Sequence, residues 1–161
     1  MDTDVNTGGR RHLGRSVRGV RRNALIGSLE TDSVSYHHVV TGELEQWDDR
    51  DADVRSISAA AGLDYEGAPF GLRVYGAEPG EQLALAYHYH DEQTEAFYVL
   101  DGTLHVETPE GEFVVGTDEA FVVEPGNAHR AYNPEDAAES VRVLALGSPT
   151  VDDVHPYEPD K

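Results

Sequence analysis

Between residues 70 and 146 the chain is cut into short apolar stretches by turn residues about every ten positions, a rhythm that helices cannot follow. Residues 72–75, 82–90, 96–100, 103–108, 112–115, 120–123, 129–132 and 141–146 read as strands. Ala77-Glu78-Pro79-Gly80, Asp101-Gly102, Pro109-Glu110-Gly111 and Pro125-Gly126 read as the turns between them. Asp101-Gly102 is a strong hairpin signal, and the polar stretch from Asp91 to Thr94 reads as the turn of another hairpin. Many short strands with regular turns indicate an all-β sandwich or small barrel. Upstream, residues 41–63 read as a short helix or an irregular edge segment, capped by Gly62. No internal repeat is evident.

A chain of 161 residues suits one domain with a real core. It has no cysteine, so disulfides, thiolate nucleophiles and zinc–thiolate sites are excluded. No apolar run approaches the roughly 18 residues of a membrane helix, and the start lacks the apolar core of a secretory signal. A cytoplasmic protein is expected. The formal net charge is −19 and Lys161 is the only lysine. Such a surface disfavours nucleic acid and anionic membranes as partners. Acid excess with almost no lysine resembles a halophilic, archaeal proteome, in which high salt mutes self-repulsion. The charge is uneven. Residues 1–34 carry six arginines against four acids, whereas residues 35–161 carry six basic and twenty-seven acidic groups. The first segment, with Gly8-Gly9 and no sustained apolar period, reads as a disordered extension. The abrupt change near Val34 is what a start at that valine, from a GTG codon, would produce. The organisation expected is therefore an extension at 1–34, an edge segment at 35–65, a barrel at 66–147 and an extended tail at 148–161.

Within the barrel stretch, His88-x-His90-x4-Glu95 is answered by His129. Three imidazoles and a carboxylate are a ligand set for a divalent transition metal. On a strand, side chains two apart share a face, which places His88 and His90 roughly 7 Å apart and able to share one ion. Glu95, just past the turn, can face back toward them. Four protein ligands leave one or two open positions for substrate, water or dioxygen. The same alternation puts Ala84 and Ala86 with the histidine pair, Phe97 and Val99 with Glu95, and Ala131 and Asn133 with His129. That lining is small and apolar, as small-molecule sites usually are. Tyr87, Tyr89, Tyr98 and Tyr132 then face the other way. Arg73, if it points inward, is the basic group that would pair with a substrate carboxylate or phosphate; otherwise it makes a surface ion pair. Asn133 reads as a structural hydrogen-bonder. His105 reads as a surface or rim residue, His37-His38 as an edge feature, and His12 and His155 as parts of flexible ends. No Gly-x-Ser-x-Gly, phosphate-binding loop or dinucleotide fingerprint occurs.

These residues resemble the cupins. In the first cupin motif, Gly-x5-His-x-His-x3/4-Glu-x6-Gly, His88, His90, Glu95 and Gly102 match, while Gly80 lies two residues before the leading glycine. In the second, Gly-x5-Pro-x-Gly-x2-His-x3-Asn, Gly126, His129 and Asn133 match; Pro125 is one residue late, and Asp118 stands at the leading glycine. The departures fall on turns and leave the ligand set intact. The resemblance covers roughly residues 66–147. It implies a double-stranded β-helix, the jelly-roll barrel, with one divalent transition metal in its lumen, and commonly a homodimer. Fe, Mn, Ni, Cu, Co and Zn all suit such ligands. The function expected is that of a small-molecule enzyme, dioxygenase-like or isomerase-like. The alternative is a non-catalytic binding or sensor protein that holds a metal and a small ligand.

Overall fold

The computed structural model describes residues 36–84 and 86–159. The expectations for residues 1–34, disorder and a start at Val34, lie outside the described residues. Ten strands form: β1 Asp53–Ser56, β2 Gly71–Ala77, β3 His88–His90, β4 Thr94–Asp101, β5 Thr103–Thr108, β6 Gly111–Gly116, β7 Ala120–Val123, β8 Arg130–Tyr132, β9 Val141–Ser148 and β10 Val154–Pro156. One antiparallel sheet runs β1-β2-β9-β4-β7. The facing layer contains β6-β5-β8 and the pair β10-β3, joined by single bridges from Gln82 to Tyr132 and from His88 to His129. The result is a jelly-roll sandwich.

Alternation explains the core. Rows of paired residues share a face, so Val54, Tyr75, Val143 and Val99 point inward together, as do Ser56, Arg73, Ala145 and Phe97. Leu104, Val106, Val115 and Ala131 meet them from the facing layer. Phe97, Val99, Ala131 and Asn133 are each at most 5% exposed, so they fill this core.

Two turns act differently from the hairpins expected of them. Asp101-Gly102 joins β4 to β5, which belong to different sheets. It is a corner that carries the chain across the sandwich. Gly102 has φ +80, and a Cβ there would lie 2.5 Å from the Ser140 carbonyl oxygen, so this corner admits only glycine. The turn from Asp91 to Thr94 likewise leads from the β3–β10 pair to β4 in the large sheet. Pro109-Glu110, by contrast, closes a true hairpin between β5 and β6. Asp118, the residue at the expected glycine, adopts φ +66 and so takes the left-handed conformation glycine would supply.

Three further differences concern the ends of strands and the flanks. The strand expected at 82–90 is a strand only over His88–His90; residues 83, 84, 86 and 87 are bends. The segment at 41–63 contains a 3-10 turn at Thr41–Glu43, strand β1 and one helical turn, α1 Ile57–Ala60. Ser56 caps α1 at its start, and Gly62 (φ +74) ends it, with the Leu63 N–H bonded to the Ser58 carbonyl. The tail forms β10, which pairs with β3 in the register Val154–His90 and Pro156–His88. His155, expected in a flexible end, stacks on Tyr89 and lies 3.0 Å from Asp91.

Candidate metal centre

Two segments of the facing layer and one strand of the large sheet supply the convergent side chains. His88 and His90 lie on the inner face of β3. His129 precedes β8 and sits opposite His88, the two exchanging backbone hydrogen bonds of 3.1 and 2.8 Å. Bridged residues share a face, so His129 also points inward, its ring centroid 4.6 Å from that of His88. Glu95 comes from the inner face of β4, across the sandwich. Because the Asp91–Thr94 stretch is a corner, Glu95 confronts the histidines instead of lying beside them. Glu95 Oε2 is 2.8 Å from His129 Nε2, 3.4 Å from His90 Nε2 and 3.7 Å from His88 Nε2. His88, His90 and Glu95 each offer a ligand atom, all within 4.8 Å of one another.

The outward ring nitrogens are anchored. His88 Nδ1 meets the Ala86 carbonyl at 2.9 Å, His129 Nδ1 the Asn127 carbonyl at 3.2 Å and His90 Nδ1 the Asp153 carboxylate at 2.9 Å. Acceptors at all three Nδ1 positions orient the rings and turn the Nε2 atoms toward Glu95. The His90 Nε2 atom is buried with no hydrogen-bond partner, as a ligand atom awaiting its ion would be. Burial alone would raise the Glu95 carboxyl, but the His129 hydrogen bond and the His88 and His90 rings beside it outweigh burial and hold the group well below the usual carboxylate range. Burial would lower His90; Glu95 and Asp153 outweigh it and raise this imidazole.

Asp153 was not legible as part of the site. Its Oδ2 accepts the backbone N–H groups of Glu92 and Gln93 at 2.7 and 3.2 Å, while Oδ1 holds His90. It therefore ties the β3–β4 corner and one histidine to the tail. Burial would raise Asp153, but the Glu92, His90 and Gln93 contacts prevail and hold it low. No spacing rule links position 153 to position 90; only the pairing of β10 with β3 brings them together.

The remaining candidates are dispersed. Arg73 is on the inner face, but its guanidinium lies 5.1 Å from the Trp47 ring centroid, beside Tyr75. Asn133 is structural, donating to the carbonyls of Ala77 (3.0 Å) and Glu139 (2.9 Å). Ala84 and Ala86 precede β3 in the bent stretch, where alternation does not apply, and Ala86 is exposed. His105 points outward between buried Leu104 and Val106, beside Glu112. His37 and His38 are exposed, and His12 lies outside the described residues.

Space opens instead on one flank of His129. A cavity of about 470 Å3 lies against it, lined by Tyr89, Phe113, Phe121, Val123, Ala128 and Tyr157, with Thr108, Pro109, Glu110, Val122, Glu124, Gly126 and Asn127. None of the seven lining residues expected from alternation lines it, because the inner rows close into solid core. The gap exists where β6 ends one sheet and β7 the other, so no strand seals the edges.

No curated protein sequence matches the chain. Solved structures do. A sugar phosphate isomerase of the cupin superfamily from Silicibacter pomeroyi is 28% identical, with a TM-score of 0.53, covering 62% of this chain and 60% of that one. A protein from Acidithiobacillus ferrooxidans is 24% identical over the same shares, also with a TM-score of 0.53. This chain thus spans about 60% of the length of both. The polyketide cyclase RemF from Streptomyces resistomycificus, 17% identical, shares the fold with a TM-score of 0.61 over 79% of this chain and 89% of that one. Residues 74–147 match the family model described as a cupin domain, and that stretch holds all four convergent side chains.

Proposed function

We propose that this protein is a cupin-superfamily enzyme acting on a small molecule through one divalent transition metal held by His88, His90, Glu95 and His129. The observation that carries the reading is the facing of three Nε2 atoms onto one carboxylate oxygen, with every Nδ1 anchored behind. A bound metal supplies a Lewis acid or a dioxygen-activating centre. The chain's own contribution is positional. Glu95 stays ionised and lowers the charge of a divalent ion by one. The carbonyls of Ala86 and Asn127 and the Asp153 carboxylate hold the rings with their Nε2 atoms aimed at Glu95. The cavity beside His129 lets a substrate approach from one flank, while the packed core excludes water from the other. The identity to the Silicibacter isomerase supports isomerisation; the donor set alone serves dioxygenation equally well.

Elemental analysis of the natively expressed protein tests the metal. About one equivalent is expected, and His129→Ala should lose it; full retention by that variant overturns the assignment. Turnover against diketones, flavonoids, keto acids and sugar phosphates tests the enzyme. Metal binding without turnover on any of them leaves a binding or sensor protein.

A second copy of the chain is the proposed partner. The outer face of the large sheet exposes Tyr98 (40%), Leu100 (37%), Val122 (59%) and Leu146 (36%), an apolar patch that a homodimer would cover. Sedimentation at a mass near 17.6 kDa, that of one chain, would refute it.

A further inference from the structure

The cavity beside His129 has a definite chemistry, and it differs from that of a phosphate or carboxylate site. Its walls are aromatic: Phe113 and Phe121 meet with ring centroids 5.0 Å apart at 48°, from the two sheet edges that frame the opening. Tyr89 and Tyr157 supply further ring surface. Phe113 is 44% exposed, so apolar surface faces water at the mouth.

The acidic side chains in the lining are Glu110 and Glu124, and no arginine or lysine joins them. Arg73 is on β2, three strands from β7, stacked on Trp47. An anion would meet two carboxylates along the lining and no arginine or lysine, within a chain whose net charge is −19. The Asn127 amide and the Thr108 hydroxyl are engaged within the chain. Asn127 Nδ2 donates to the carbonyls of Glu124 and Pro125, at 3.0 and 3.1 Å. Thr108 Oγ1 donates to the Gly111 carbonyl at 2.9 Å and accepts from the Glu110 N–H at 3.2 Å. A sugar phosphate would therefore place its charged group among rings and carboxylates, with no arginine or lysine to pair it. A cation would fit the rings and the glutamates, but at the His129 end it would face the divalent ion that the four side chains would hold.

We propose that this cavity takes an uncharged, flat, largely apolar molecule whose neutral oxygen faces the His129 end. The proposal rests on the metal-centre reading for the direction in which that oxygen points, and on the cavity alone for the rest. It turns the search away from sugar phosphates and keto acids toward neutral phenols and dicarbonyls.

Calorimetric titration of the full-length protein, as isolated and after removal of metal by a chelator, tests it with three probes. They are 2-naphthol, naphthalene-2-carboxylate and glucose 6-phosphate. 2-Naphthol should bind both forms, the carboxylate at least about tenfold more weakly, and glucose 6-phosphate not measurably. Phe113→Ala removes a half-exposed ring, so folding should survive; the variant should bind 2-naphthol about tenfold more weakly with an unchanged melting temperature. Equal or tighter binding of either anion overturns the proposal, as does 2-naphthol binding indifferent to Phe113→Ala. Metal content, measured on the same samples, reports separately on the metal centre: 2-naphthol binding to metal-free protein upholds the cavity whatever that content proves to be.

Discussion

Asp153 shows how much of a site can depend on a residue that touches no ligand. Its carboxylate fixes the tautomer of His90 and clamps two N–H groups of the corner that leads to Glu95. Such outer partners typically change metal affinity by about 10- to 100-fold. Asp153→Asn should therefore bind metal more weakly by about that factor, read by competition with a chromogenic chelator, with a circular-dichroism spectrum like that of the parent. Unchanged affinity would show that the Ala86 and Asn127 carbonyls suffice to orient the cluster. At this scale His88, His90, Glu95 and His129 were legible, because strand alternation and spacing are local rules. The pocket lining was not. Alternation assigned Ala84 and Ala86 a strand that breaks before His88, and it could not distinguish inner rows that pack solid from those that leave a gap.

Strands were readable one by one, since 103–108 and 120–123 were placed to the residue and most others within two. Their pairing was not. A turn dipeptide such as Asp101-Gly102 specifies φ, and the same left-handed glycine serves a hairpin or a corner between sheets. What decides is the close approach of the Ser140 carbonyl, a contact from nearly forty positions away in sequence. Gly102→Ala should accordingly cost more than a simple left-handed alanine, because a clash at 2.5 Å is added to the backbone strain. A loss of about 2 kcal/mol or more is expected in denaturant unfolding, whereas Gly67→Ala, with φ +79 and open space around it, should lose only about 1 kcal/mol. Equal losses would mean that the corner relaxes freely. The tail is the other pairing that local reading missed, for β10 is three residues of modest β character whose partner lies over sixty positions away. Removing residues 153–161 should weaken metal binding at least as much as Asp153→Asn, since it strips β3 of its neighbour as well as its clamp.

Charge belongs to the whole molecule. Within residues 35–161, twenty-seven acids face six basic groups, and three of the arginines are already committed: Arg55 to Asp53, Arg130 to Glu107 and Arg73 to Trp47. Little positive charge remains to offset the repulsion among exposed carboxylates, so the folded state, which crowds them, is opposed at low ionic strength. Salt relieves that opposition. The Debye length falls from about 10 Å at 0.1 M to about 3 Å at 1 M, shorter than most spacings between surface carboxylates. We infer adaptation to high salt, and the melting temperature should climb steeply with KCl up to about 1 M. The shape beyond that point separates two causes. Screening alone saturates, because the Debye length changes little further, whereas preferential exclusion of the salt from the surface continues to stabilise. Sucrose, which carries no charge, should reproduce the second effect and not the first. Maximal stability in dilute buffer would show that the acidic surface is no adaptation to salt.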